Sequence, residues 1–118
     1  MEKLIGSDVI LRYLLDDIED QSNAAKDVLF SGACTIGEVI AEVVNTLEKV
    51  YEVDKNTIKE TLTGFLDEVS IENKSIIVEA LALYSAKNIS YSNALLLARQ
   101  RINGESIFTF DKKLRRLT

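Results

Sequence analysis

The chain has no histidine and a single cysteine, Cys34. Without histidine, Ser-His-Asp and Cys-His catalysis are excluded, and so is any His-ligated zinc site. One cysteine rules out a multi-cysteine zinc site as well. It also rules out an internal disulfide, which fits a reducing cytoplasm. Any chemistry performed here has to run on carboxylates. Proline is absent too, so turns rest on Gly, Asn, Asp and Ser. No apolar run approaches the ~18 residues of a membrane span, and no basic, apolar, small-residue series opens the sequence. The expectation is a chain with no membrane partner and no secretory signal. Internal repeats, low-complexity tracts and linkers are missing as well.

What is present suits one domain, residues 1–118, with one core, since 47% of the 118 residues are hydrophobic. The net charge of −5 argues against a general nucleic-acid coat. That charge is unevenly spread. Asp16, Asp17, Glu19 and Asp20 cluster, whereas Lys112, Lys113, Arg115 and Arg116 make the C-terminus basic. Arg12, Arg99 and Arg101 can extend the basic surface. The bland account of both clusters is a solvated loop or helix face.

Along the chain, Lys3-Leu4-Ile5-Gly6 is expected as a short strand. Ser7 or Asp8 then caps a helix through Val9, Ile10, Tyr13 and Leu14. An acidic turn through Asp20 leads to a helix from roughly Ser22 to Phe30, ended by Gly32. Ala33-Cys34-Thr35 is expected as a short connection. The long helix Ile36 to Tyr51 carries Ile36, Val39, Ile40, Val43, Val44, Leu47 and Val50 on one stripe. At about 100° per residue Glu42 falls about 60° outside its edge and Glu38 about 40° further round. Glu42 can thus stand at the lip of a buried face, while Glu38 is expected in solvent. Asp54 or Asn56 caps the next helix, which runs to about Leu66. Val69-Ser70-Ile71 is a short strand, and Asn73 or Ser75 opens a helix that stops near Asn88.

The last third is the densest. Ser90 can cap a helix whose Ala94-Leu95-Leu96-Leu97-Ala98 run, apolar on every side, predicts burial. Asn103-Gly104 supplies the left-handed residue that ends it. Ser106-Ile107-Phe108-Thr109-Phe110 is rich in β-formers and is expected as a strand. Asp111 would stand at its carboxyl end, opening a short basic helix. Short strands alternating with helices predict an α/β sandwich around a small parallel sheet.

Ile89–Ala98 and Ile107–Leu117 resemble the C-terminal half of PIN domains, especially the small VapC-type toxins of prokaryotic toxin–antitoxin pairs. Thr109-Phe110-Asp111 matches the family's Thr-x-Asp signature, and the resemblance extends to Leu4–Leu15 and Ile36–Tyr51. It implies a three-layer PIN-like sandwich with a small parallel sheet flanked by helices. It also implies a metal-dependent endoribonuclease, with carboxylates gathered around Mg²⁺ or Mn²⁺. Such ions take hard oxygen ligands, and they favour hydroxide formation and offset charge on a phosphate under attack.

The four family acid positions read Gly6, Glu42, Asn93 and Asp111 here. Where the family carries a motif like Asp-x-Asn, this chain has Gly6-Ser7-Asp8, so Asp8 is the candidate third acid. The catalytic candidates are Glu42, Asp111 and Asp8, and Asn93 joins them as a metal-ligand candidate through its amide oxygen. Asp8 and Asp111 also fit as helix caps, and Asn93 as a first-turn polar residue. Thr109, Lys112, Lys113, Arg115, Arg116 and Arg12 are candidates for contacting RNA. With two acids replaced, metal binding and cleavage should be weak or lost. The alternative is a non-catalytic PIN-like domain that binds RNA or a protein partner. A cognate antitoxin and a homodimer are the protein partners that the resemblance implies.

Overall fold

The computed structural model describes residues 2–118 and shows an α/β fold. Three parallel strands, β1 (Lys3–Leu4), β2 (Ala33–Thr35) and β3 (Ser70–Ile71), form a sheet in the order β1-β2-β3. Lys3 pairs with Ala33 and Leu4 with Cys34; across the other edge Cys34 pairs with Ser70 and Thr35 with Ile71. Seven helices surround it among the described residues: α1 (Ser7–Leu15), α2 (Glu19–Phe30), α3 (Gly37–Lys49), α4 (Lys55–Phe65), α5 (Lys74–Lys87), α6 (Tyr91–Asn103) and α7 (Lys112–Leu117). The architecture is the expected three-layer sandwich.

The expected connection Ala33-Cys34-Thr35 is in fact the central strand. Ala33 and Thr35 are buried, and Thr35 Oγ1 donates to the Ile5 carbonyl at 3.0 Å, fastening the ends of β1 and β2 together. Around the sheet, α1 packs on α2 and α3, α3 packs on α4 and α6, and α5 lies against both α4 and α6. Their apolar faces meet in one core that includes Ile10, Ile40, Val43, Phe65, Leu81, Tyr84, Leu97 and Leu114.

Several boundaries differ from expectation for identifiable reasons. Helix α2 begins at Glu19 rather than Ser22, so Glu19 and Asp20 stand in its first turn, where the helix dipole favours negative charge. Ser22 is buried and its hydroxyl donates to the Arg12 carbonyl. Helix α1 is headed by Gly6 with no side-chain cap, so neither Ser7 nor Asp8 caps it. Asp54 caps α4, accepting from the Thr57 amide at 2.9 Å, and Ser90 caps α6 as its sequence predicts. Ile36 and Val50, the ends of the stripe on α3, fall outside the helix and are exposed.

The largest departure is at Ser106–Phe110, which forms no strand. Its side chains alternate, with Ile107 and Thr109 half-buried and Phe108 and Phe110 exposed at 86% and 82%. Both ends are anchored elsewhere. Glu105 takes two hydrogen bonds from Arg99, while Thr109 accepts from the Asp111 amide and from Arg115. These local bonds set the course of the segment, and β-propensity alone supplies no partner strand.

Candidate functional site

The expected site residues come from the end of β1, from α3, from the start of α6 and from the turn into α7. Gly6 directly follows Ile5, whose amide donates to Cys34 at 2.9 Å and whose carbonyl takes the Thr35 hydroxyl. Gly6 therefore stands at the carboxyl end of the sheet, where α/β folds place their ligands. A Cβ built on Gly6 would lie 3.2 Å from Asp8 Oδ1. The Asp8 carboxylate is thus folded back toward the space that a side chain at position 6 would enter.

Glu42 is exposed on α3, beside the buried Val43 and Val44. Asn93 is half-buried in the first turn of α6, and its amide donates to Ser90 Oγ at 3.2 Å. The side chains of Glu42, Asp8 and Asn93 have no hydrogen-bond partner among the described residues. Two cavities border the seam between α3 and α6. One, of about 750 Å³, takes Ala41 from α3 with Ser92 and Leu95 from α6. The other, of about 560 Å³, takes Asn45 and Glu48 with Ser90 and Tyr91. On α3, Glu42 falls between Ala41 of the larger lining and Asn45 of the smaller, and on α6, Asn93 directly follows Ser92 of the larger.

Asp111 heads α7 rather than ending a strand. Its Oδ1 accepts from the Leu114 amide at 2.8 Å, and its own amide donates to Thr109 Oγ1 at 3.0 Å. Its carboxylate is therefore already engaged as a helix cap. Lys113 Nζ donates to the Asn88 carbonyl at 2.7 Å, which holds the start of α7 beside the junction of α5 and α6. Arg115 is tied to the Thr109 carbonyl at 2.8 Å. Lys112 and Arg116 have no partner among the described residues. Arg12 is bonded instead to Asp17 at 2.9 Å and to the Tyr51 hydroxyl.

A family model described as PIN domain matches residues 4–118. The chain belongs to the PIN-domain family. No curated protein and no solved structure matches it significantly.

The four positions expected from the resemblance hold two carboxylates, Glu42 and Asp111, one amide, Asn93, and one glycine, Gly6. Among the described residues no group of three or more Asp, Glu, His or Cys side chains could hold a metal ion. A divalent cation that needs several hard oxygen ligands does not fit this donor set as it stands.

Sequence reasoning passed over other residues that the fold brings to cavities. Glu38, taken as simply solvated, lines the larger cavity with Glu72, Arg99 and Leu96. Leu96 is 46% exposed there, so α6 is not buried on every side. The missed signal was β2: once Ala33–Thr35 is a strand, Glu38 stands just beyond its carboxyl end.

The smaller cavity contains a polar cluster. The Tyr84 hydroxyl donates to Glu48, and Lys49 pairs with the same carboxylate at 2.8 Å. Lys49 and then Tyr84 hold the Glu48 carboxyl below its ordinary pKa. Lys55 Nζ lies 4.5 Å from the centre of the Tyr84 ring and donates to the Ile89 carbonyl at 2.8 Å; burial lowers its pKa.

Proposed function

We propose that this PIN domain is of the VapC toxin type and that its RNA-cleaving activity is weak or lost. The observation that carries this reading is the state of the four acid positions. Two carboxylates remain, Asp111 also caps α7, and no third acid is gathered with them among the described residues. Asp8 is the reserve candidate, because its carboxylate lies toward the space that an acid at position 6 would use.

RNA is the proposed ligand. Lys112 and Arg116 are exposed and unpartnered among the described residues, which supports phosphate contact next to Asp111. A cognate antitoxin and a second copy of the chain are the proposed protein partners, and exposed Phe30 offers apolar surface to one or other of them. A reducing cytoplasm is the setting that the lone Cys34 supports. No helix of the described residues is long and apolar enough to cross a membrane.

The test is cleavage of a structured RNA with and without Mn²⁺, comparing the unaltered chain with Glu42→Gln. The expected result is no metal-dependent difference between them, with RNA binding retained by both. Mn²⁺-dependent cutting by the unaltered chain that Glu42→Gln abolishes would overturn the weak-or-lost assignment and make Asp8 the first residue to test.

A further inference from the structure

Phe108 and Phe110 stand in the segment between α6 and α7, 86% and 82% exposed. Their rings meet edge-to-face, with 5.2 Å between centroids and 81° between planes. The side chains here alternate. Ile107 and Thr109 are half-buried, and the two rings are turned to solvent. Two adjoining phenyl rings left in water offer π-faces and no hydrogen-bonding group.

The pair is held beside a set of cations. Thr109, between the rings, accepts from the Asp111 amide through its hydroxyl at 3.0 Å and from Arg115 through its carbonyl at 2.8 Å. Both bonds tie the segment to α7 and its cap. On α7, Lys112 and Arg116 are four residues apart and so share one side of the helix. Both are exposed, and neither has a partner among the described residues. The carboxylates that flank the rings in sequence are engaged. Glu105 takes two hydrogen bonds from Arg99, and Asp111 accepts from the Leu114 amide.

Aromatic faces next to unpaired cations match an unpaired nucleic-acid strand, whose bases stack on the rings while its phosphates meet Lys and Arg. A duplex keeps its base faces stacked inside and offers none to the rings. A protein partner fits this stretch less well. The other large apolar residues after Gly104, namely Ile107, Leu114 and Leu117, are buried or half-buried, so no aliphatic surface widens the pair. Lysine is depleted in protein interfaces, and Lys112 follows Phe110 by two positions.

We propose that Phe108 and Phe110 form a stacking platform for unpaired bases of RNA, with Lys112 and Arg116 on the phosphates. The platform presupposes the RNA ligand proposed above and adds that the bound stretch is single-stranded. Each ring takes one base. Because the ring planes are nearly perpendicular, the two bases are splayed apart rather than stacked on each other. Phe110 directly precedes Asp111, so the platform sets the strand beside a candidate acid.

The test replaces the rings in two ways. Phe108→Leu with Phe110→Leu keeps apolar side chains and removes the π-faces. It should bind a short labelled oligouridylate about tenfold more weakly, as expected for lost base stacking. Its binding to an RNA duplex of equal length, carried by the cations alone, should not change, and neither should its melting temperature. The chain has no tryptophan, so Phe108→Trp carries a single reporter whose emission is quenched when a base stacks on it. The oligouridylate should quench it and the duplex should not. Equal oligouridylate binding by the leucine variant, or binding without quenching, would overturn the platform and leave the RNA ligand standing. No binding of either RNA by the unaltered chain would overturn both. A leucine variant whose one defect is lost self-association in sedimentation would assign the rings to a second copy of the chain and overturn the platform.

Discussion

At the candidate acid and metal-ligand positions, on one side of the comparison, Glu42, Asp8 and Asn93 present side chains with no hydrogen-bond partner among the described residues. On the other side, the Tyr84 hydroxyl donates to Glu48, Lys49 pairs with the same carboxylate, and Lys55 donates to the Ile89 carbonyl. The first group is held ready for something outside the protein or for nothing at all. The second contributes to holding α3, α4 and α5 together. Substitution should therefore change binding and activity on the first side with little effect on folding, and change stability on the second.

The sharpest way to break the comparison is to restore charge on the first side. Asn93→Asp changes an amide to an acid with almost no change in shape. Gly6→Asp would bring its Cβ within 3.2 Å of Asp8 Oδ1, so Asp8 must swing away, and two close carboxylates would raise each other's pKa. The triple variant Gly6→Asp, Asp8→Asn, Asn93→Asp avoids that crowding. It should bind Mn²⁺ more tightly and cut RNA about 10–100-fold faster than the unaltered chain, the scale on which support around a metal site acts. A calorimetric Mn²⁺ titration with a cleavage assay measures both, and a triple variant no different from the unaltered chain would count against the acid positions.

On the interlocked side the largest effect should be on stability. Tyr84→Phe removes the donor to Glu48 and should cost about 1–2 kcal/mol, read as a lower denaturation midpoint. The pH dependence has a defined sign at each end. Burial raises the Tyr84 and Tyr91 pKa values above the ordinary 10.0. Their contribution is then fully present below about pH 10 and lost as pH rises beyond it. The Glu48 pKa is lowered from 4.5, so its contribution is present above that value and lost as pH falls through the folded one. Melting curves from pH 3 to 11 should show both edges, and Tyr84→Phe should soften the alkaline one.

Asp111 joins the two kinds of behaviour, since it is both a proposed acid of the site and the cap of α7. Asp111→Ala should cost about 1 kcal/mol through the lost cap. Asp111→Asn keeps a capping oxygen and removes the charge, so it should melt near the unaltered chain. Equal destabilisation by both variants would show that its charge, and not its capping bond, holds α7 in place.

Much of this was legible because helices announce themselves through period and caps. The stripe on α3 marks a real helix, and Ser90, Asp54 and Gly104 mark real boundaries. The sheet was harder, because its strands span only two or three residues. Ala33-Cys34-Thr35 lacks the bulky branched residues of a typical buried strand, whereas Ile107-Phe108-Thr109-Phe110 has the composition and no partner. The candidate acid positions rest on the motif around Glu42 and Asp111.

The smallest expected effect concerns the basic tail, and the structure divides it. Lys113 and Arg115 are bonded to the Asn88 and Thr109 carbonyls, so replacing them disturbs α7 as well as any ligand. Lys112 and Arg116 are exposed and lack partners among the described residues, so Lys112→Ala with Arg116→Ala removes charge alone. Phosphate contacts release condensed counterions, with a salt slope of roughly −0.7 per contact on a single strand. If both side chains touch RNA, the double variant should bind a few-fold more weakly at low salt. Its slope should be shallower by about 1.4, twice the single-contact value. Its melting temperature should not move, unlike that of a Lys113→Ala, Arg115→Ala pair. Fluorescence anisotropy against a labelled RNA at several salt concentrations measures this. An unchanged slope in the Lys112, Arg116 variant would make those two residues an ordinary solvated face, leaving Lys113 and Arg115 as braces for α7.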